Sequence, residues 1–102
     1  MATLELDFNN PLGSAELAKS KLQHLLSSLV EQYRGEFANL HERWIGLTNV
    51  FGVEVRGNRI YGVLLLENTR LSVTAEAPLV VALASKKLRS ILEQKIQELL
   101  VP

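Results

Sequence analysis

The stretch from Phe51 to Ala75 reads FGVEVRGNRIYGVLLLENTRLSVTA. Apolar residues alternate in it with polar or small residues, and this period of two is typical of half-buried strands. Two polar pairs interrupt the alternation, Gly57-Asn58 and Asn68-Thr69, and both are typical of two-residue hairpin turns. The region between Gly46 and Ala77 therefore predicts a three-stranded antiparallel meander.

The two predicted turns fix the pairing of the middle strand. The first turn sets Val53 opposite Gly62. It also sets Arg56 opposite Arg59. The second turn sets Gly62 opposite Ala75. Because a slip of one residue would turn every side chain to the other face, the agreement between the two turns predicts which residues of this strand face the core. They are Ile60, Gly62, Leu64 and Leu66.

The N-terminal third predicts a strand and a helix. Leu4, Leu6 and Phe8 alternate with polar residues, as in a half-buried strand. Ser14 is a favourable helix N-cap, and apolar residues follow it at three- and four-residue spacing. They are Leu22, Leu25, Leu26, Leu29, Val30 and Tyr33.

Gly35 marks the end of this helix, since glycine is common just beyond a helix C-terminus. Phe37, Leu40 and Trp44 nevertheless continue the helical spacing. The sequence therefore predicts either a helix that runs on past Gly35 or a break followed by a short second helix, and we favour the break.

Pro78 ends the meander and begins a C-terminal helix, because proline suits the first turn of a helix. Its apolar stripe is Val80, Ala84, Leu88, Ile91, Leu92, Ile96 and Leu99. Helices with one apolar stripe need an apolar sheet face to cover. The chain thus predicts a single α+β domain over residues 1–102. We expect a two-layer sandwich in which a four-stranded, largely antiparallel sheet carries the helices on one face.

The composition argues against several classes of function. The 102 residues include no cysteine, which removes disulfides and thiolate chemistry. Eleven basic and eleven acidic residues cancel, whereas nucleic-acid binders usually carry a basic excess. No apolar run approaches the length of a transmembrane helix, and the acidic N-terminus is unlike a signal peptide. We expect a cytoplasmic protein that binds no nucleic acid and has no transmembrane segment.

The sequence has no pattern typical of catalysis, metal binding or cofactor binding. His41 has no second histidine four residues later, as a zincin requires, and His24 is isolated. Ser27 and Ser28 lack a nucleophile-elbow sequence, and no glycine-rich loop precedes a helix. We expect no metal, no cofactor and no enzymatic activity. A small enzyme that uses His41 or the sheet carboxylates is the least favoured alternative.

The meander predicts an unusual outer face, on the side of the sheet away from the helices. Polar residues dominate this face, yet the middle strand places Tyr61, Val63 and Leu65 there, with Val50 nearby. Exposed apolar side chains in a group often mark an interface, although a central strand with two apolar sides gives the same pattern. These four residues are the candidate interface for a homo-oligomer or a protein partner.

Gly62 is unusual because it lies in the middle of a strand on the core face. Its predicted neighbours Val53 and Ala75 are also small, so space remains below the last helix, near Leu88. That space would suit an apolar ligand, or it would let a helix approach the sheet closely. Val53, Gly62, Ala75 and Leu88 are the candidate pocket residues.

Several segments follow a pattern known from one family. They are Trp44-Ile45-Gly46, Phe51 to Val55, Ile60 to Val63, Leu71-Ser72-Val73 and Lys95 to Leu99. In this loose pattern the chain resembles the small bacterial polyhydroxyalkanoic acid system proteins, although its stretch Gly35–Arg43 is longer. The resemblance implies an association with storage-polyester metabolism or its hydrophobic granules, or only a neighbouring gene, and it brings no catalytic residues.

The predicted architecture also resembles a shortened START-like or Bet v 1-like fold, which implies an apolar ligand between the final helix and the sheet. Two functions from different classes therefore stay open. The first is a non-catalytic binding or assembly protein that associates through the outer face. The second is a small carrier of an apolar ligand.

Overall fold

The computed structural model describes residues 2–83 and 85–101, except for the side chains of Val80, Ala82 and Ser85. The elements are β1 (Ala2–Asn9), α1 (Ala15–Leu22), α2 (Leu25–Gln32), β2 (Phe37–Ile45), β3 (Thr48–Val55), β4 (Asn58–Leu66), β5 (Arg70–Ala77), α3 (Leu79–Ala82) and α4 (Ser85–Leu99). The predicted stripe residues Val80 and Ala84 fall outside the described side chains.

Five strands form one antiparallel sheet in the order β1-β5-β4-β3-β2. The helices cover one face of this sheet, so the predicted α+β class and two-layer arrangement are confirmed. The prediction of four strands is wrong, because β2 is an additional strand. β1 lies at one edge of the sheet, where Leu4 is opposite Ala75 and Phe8 is opposite Leu71 of β5.

The additional strand β2 occupies the segment for which the sequence predicted a short helix. A β-bulge interrupts its pairing with β3 just after Ala38, and beyond it Leu40, Glu42 and Trp44 are half-buried and alternate with exposed residues. Because a bulge adds one residue to a strand, Phe37 and Leu40 both point inward although they are three positions apart. The bulge thus gives a strand the apolar spacing of a helix.

The first hairpin turns one residue earlier than predicted. Arg56 and Gly57 have φ values of 51° and 81°, and left-handed values at both central positions define a type I′ turn. Glu36 holds Arg56 in place, because its carbonyl accepts the Arg56 N–H at 2.9 Å and its carboxylate lies 2.6 Å from Nε. Val55 therefore pairs with Asn58.

The predicted register of this hairpin is consequently wrong by two residues. Gly62 is opposite Phe51 rather than Val53, and Arg59 is opposite Glu54 rather than Arg56. A shift of two residues leaves every side chain on the face that was predicted for it. The assignment of residues to the core and outer faces therefore survives the error.

The second hairpin has the predicted register. Leu66 is opposite Leu71, and Gly62 is opposite Ala75. Leu64 and Leu66 are almost fully buried, which confirms that this face of β4 packs into the core.

The helices α1, α2 and α4 pack on the inner face of the sheet. Ser14 caps α1 as predicted, because its Oγ accepts the N–H of Leu17 at 3.2 Å. The predicted single helix is divided into α1 and α2 at Gln23-His24. Lys95 of α4 donates from Nζ to Gln32 Oε1 of α2 at 3.2 Å. Among the described residues, no helix combines the length and the apolar character needed to cross a membrane.

Candidate functional site

An exposed apolar patch lies on the outer face of the sheet. All four candidate interface residues belong to it, and the structure adds a fifth from β2. We call this set the outer patch: Ile45, Val50, Tyr61, Val63 and Leu65. Tyr61 is 59% exposed and Ile45 is 57% exposed, so large apolar side chains meet water here in one area.

Cross-strand pairing makes the outer patch contiguous. Val63 on β4 is directly opposite Val50 on β3, and Tyr61 and Leu65 flank Val63 on the same face because side chains alternate along a strand. Gly52 is opposite Tyr61, and a Cβ at this glycine would lie 3.2 Å from the tyrosine ring. The ring therefore lies against the backbone of Gly52.

Charged residues border the outer patch, with opposite signs on its two sides. The strands β1 and β5 carry the acidic residues Glu5, Asp7 and Glu76, whereas β2 carries Arg43 beside the imidazole of His41, and β4 carries Arg59. Two charges break this division and both are paired within the chain: Glu54 accepts from Asn39 Nδ2 at 3.0 Å, and Arg70 contacts Glu67 at 3.1 Å. The outer face is therefore acidic along one edge, apolar in the middle and basic toward the other edge.

An apolar cavity lies between the inner face of the sheet and the helices α2 and α4. Its volume is about 80 Å³, and the side chains that line it are all apolar. Three of the four predicted pocket residues, Val53, Ala75 and Leu88, are among them. An engineered cavity of about 150 Å³ with a similar lining binds benzene. The smaller cavity here suits an apolar molecule of only a few heavy atoms.

Gly62, the fourth predicted pocket residue, does not line the cavity. A Cβ at Gly62 would lie 2.7 Å from Phe51 Cζ and 2.8 Å from the carbonyl oxygen of Thr74. The space that the sequence predicted above this glycine is therefore filled by the ring of Phe51. Phe51 itself forms part of the cavity wall.

A buried polar cluster adjoins the cavity on the inner face. Glu42 lies between Leu40 and Trp44 on β2, and Asn49, opposite Trp44 on β3, is only 1% exposed. Asn49 Nδ2 donates to Glu42 Oε1 at 3.4 Å. Three buried atoms, Glu42 Oε2, Trp44 Nε1 and Asn49 Oδ1, have no hydrogen-bond partner in the part of the chain that the structure describes.

Burial raises the pKa of the Glu42 carboxyl above its ordinary value, while the hydrogen bond from Asn49 and the nearby charge of His24 oppose the rise. A protonated Glu42 could donate from Oε2 to Oδ1 of Asn49, while its Oε1 still accepts from Nδ2. Such a cyclic acid–amide pair would satisfy two of the three buried atoms. Burial, which outweighs the hydrogen bond from Asn49, therefore favours the neutral acid.

The other residues with chemical potential are dispersed. His41 is exposed on the outer face, and His24 is exposed at the N-cap of α2 without a capping hydrogen bond from its side chain. The Ser27 hydroxyl donates to the backbone carbonyl of His24 at 3.1 Å. Over residues 2–83 and 85–101, no three acidic or imidazole side chains converge as metal ligands would.

Sequence reasoning missed Ile45 and the polar cluster for one reason, the assignment of residues 37–44 to a helix. The signal for a strand was the run from Leu40 to Ile45, in which every second residue is inward-facing. Glu42 concealed this alternation, because an inward carboxylate is unusual on a core face.

Comparisons with known proteins give a likeness of fold. No family model and no curated protein matches the chain, so the resemblance to polyhydroxyalkanoic acid system proteins stays a prediction. Among solved structures, TTHA0849 from Thermus thermophilus is similar, with a TM-score of 0.65 over 95% of this chain and 98% of that chain. The two sequences are 15% identical, and at that level the likeness shows a shared fold alone.

Proposed function

We propose that this chain is a non-catalytic assembly protein that associates with a second copy of itself through the outer patch. The observation that carries the proposal is the patch, in which five large apolar side chains are exposed side by side on one sheet face. Their hydration is unfavourable, and burial against another surface would recover that free energy. A second copy is favoured as the partner because the patch has an acidic border on one side and a basic border on the other, which makes the face complementary to itself.

The association is expected to be weak. Five strands about 4.8 Å apart, with three outward residues on each, span roughly 500 Å². Two such faces bury about 1,000 Å² in total, which is near the lower limit for specific interfaces. We therefore expect a dissociation constant between about 10 μM and about 1 mM.

Val63→Glu tests the proposal, because it places a charge at the centre of the outer patch. Val63 is 38% exposed and lies on the outer face, so the monomer can hydrate the new carboxylate, whereas a dimer would bury it. The dimer of the wild-type protein should be lost in sedimentation equilibrium at several hundred micromolar. Leu17→Glu is the matched control, since Leu17 is an exposed leucine on α1, and this variant should still form the dimer.

Two results would contradict self-association. One is a wild-type protein that sediments as a monomer even near 1 mM. The other is a Val63→Glu variant that dimerises as well as the Leu17→Glu control. If the monomer instead adsorbs to hydrophobic polyester beads and Val63→Glu prevents this, an apolar surface replaces the second copy as the partner of the patch.

The cavity supports a second candidate function, the carriage of a small apolar ligand. Its wholly apolar lining and its position between the sheet and two helices favour this function. Half-buried residues on α2 and α4, among them Leu26, Val30 and Leu88, form part of the wall. A shift of these side chains could admit a molecule without disturbing the sheet.

Leu88→Phe tests the carrier function by placing a larger side chain at the cavity wall. Xenon should perturb the methyl resonances of Ile60 and Leu64 in the wild-type protein, because both residues line the cavity. The Leu88→Phe variant should show a reduced response. Leu83→Phe, at an exposed position outside the cavity lining, should respond like the wild type. An unresponsive wild-type protein would exclude a cavity that takes up ligands of this size.

A further inference from the structure

We propose that two copies pack outer face to outer face about a twofold axis parallel to the strands and centred on β4. In this arrangement Glu5 of one protomer lies opposite Arg43 of its partner. The inference rests on the proposed self-association and adds to it the symmetry of the dimer and the residues that select it.

The register of the sheet places both charged residues in one row with the centre of the outer patch. Reading across the five strands, the row is Glu5, Thr74, Val63, Val50 and Arg43. Glu5 and Arg43 lie on the two edge strands, each two strands from Val63. With strands about 4.8 Å apart, the two charges are separated by roughly 19 Å, with Val63 midway between them.

A twofold axis along β4 keeps each residue at the same position along the strand direction and exchanges the two edges of the sheet. It therefore sets β1 of one protomer over β2 of its partner, at the same height. Glu5 then faces Arg43 of its partner, Arg43 faces Glu5 of its partner, and Val63 faces Val63. Each dimer gains two ion pairs on either side of an apolar centre. Arg59, near the start of β4, then lies opposite its own copy, and Asp7 lies opposite Ile45 of the partner, so the two ion pairs have to outweigh these contacts.

The other way to stack the two faces is unfavourable. A twofold axis perpendicular to the strands keeps each edge over the same edge of the partner, so Glu5 faces Glu5 and Arg43 faces Arg43. In the neighbouring rows, Asp7 and Glu76 add negative charge to the same side of the patch as Glu5, although they face Thr3 and Ser72 of the partner rather than another acidic residue. Like charges that face each other across an interface suppress that mode of association.

The pairing is sterically reasonable. Packed sheets lie about 10 Å apart with their strands within about 30° of each other, and extended glutamate and arginine side chains together can bridge such a gap near the rim. In the described residues, the side chains of Glu5 and Arg43 make no hydrogen bond or ion pair within the chain. Both side chains are exposed and so are free to reach a partner.

Charge reversal separates the two symmetries. Glu5→Arg and Arg43→Glu each turn both pairs into like charges if the axis is parallel to the strands. Each variant should therefore raise the dissociation constant by about tenfold or more, and the double variant should return it to within about threefold of the wild-type value. With the perpendicular axis, like charges already oppose each other, so the single reversals would change nothing. Glu31→Arg, at an exposed position on α2, is the control for the change in net charge.

Sedimentation equilibrium of the four variants and the wild type distinguishes the parallel axis from the perpendicular axis. Circular dichroism confirms that each variant is folded. Weaker association of both single variants and its recovery in the double variant support the parallel axis. If the wild type dimerises and Val63→Glu prevents it, while the charge reversals have no effect, self-association stands and the proposed axis is wrong. If the wild type does not dimerise, both proposals fail.

Discussion

Glu42 is an ionisable residue on the core side of the edge strand β2. Its carboxyl lies on the inner face of β2 and accepts a hydrogen bond from the buried Asn49. Neither residue stands out in the sequence, because a carboxylate and an amide seven residues apart have no recognisable pattern. Their proximity depends on the pairing of β2 with β3, which the helical spacing of the apolar residues concealed.

The raised pKa of Glu42 predicts that stability falls as the pH rises. Since the folded state binds this proton more tightly than the unfolded state does, the contribution of the neutral acid is complete below the ordinary value of 4.5. It is lost as the pH rises from there through the higher pKa of the folded state. The free energy of unfolding in urea should therefore decline across that window.

Glu42→Gln should remove the Glu42 part of this dependence on pH. A glutamine can donate from Nε2 to Asn49 Oδ1 while its Oε1 accepts from Nδ2, so the variant should be more stable than the wild type at pH 7 by about 1 kcal/mol. Glu93→Gln, at an exposed position on α4, should leave the pH profile unchanged. A Glu42→Gln variant with the wild-type stability and slope would mean that the carboxyl is ionised and hydrated in the folded protein.

At the scale of elements, the strands with regular alternation could be predicted and the irregular strand could not. β1, β4 and β5 alternate without interruption, and the sequence placed their faces correctly. In β2 the bulge shifts the alternation by one residue, and local spacing then fits a helix better than a strand. The turn at Arg56-Gly57 was missed for a related reason, because Glu36 stabilises a left-handed arginine that local preferences disfavour.

The bulge in β2 depends on Asn39, which has a φ of 50°. Asparagine tolerates this left-handed conformation, whereas a β-branched residue is strained in it. Asn39→Val should therefore lower the free energy of unfolding in urea by about 1–2 kcal/mol more than Asn39→Gly does. Both variants lose the hydrogen bond from Asn39 Nδ2 to Glu54, so their difference isolates the backbone. Equal losses in the two variants would show that the hydrogen bond matters and the backbone conformation does not.

At the scale of the whole molecule, the fold class follows from the sequence because one apolar sheet face requires helices to cover it. The position of the outer patch also follows, since the two-residue error in register did not exchange the faces of the sheet. The cavity could be located only in part, because the ring of Phe51 that covers Gly62 depends on the true register. The charge division of the outer face was likewise hidden, since it requires β1 and β2 to be known as the two edges.

The most direct test of the proposed assembly is a dilution series followed by amide NMR, from about 1 mM to about 10 μM, a range that brackets the expected dissociation constant. We expect concentration-dependent shifts for the outer patch and for Glu5 and Arg43, with constant resonances on α4. Shifts that are confined to α4, or spectra that do not change with concentration, would contradict the claim that the outer face of the sheet joins two copies of this chain.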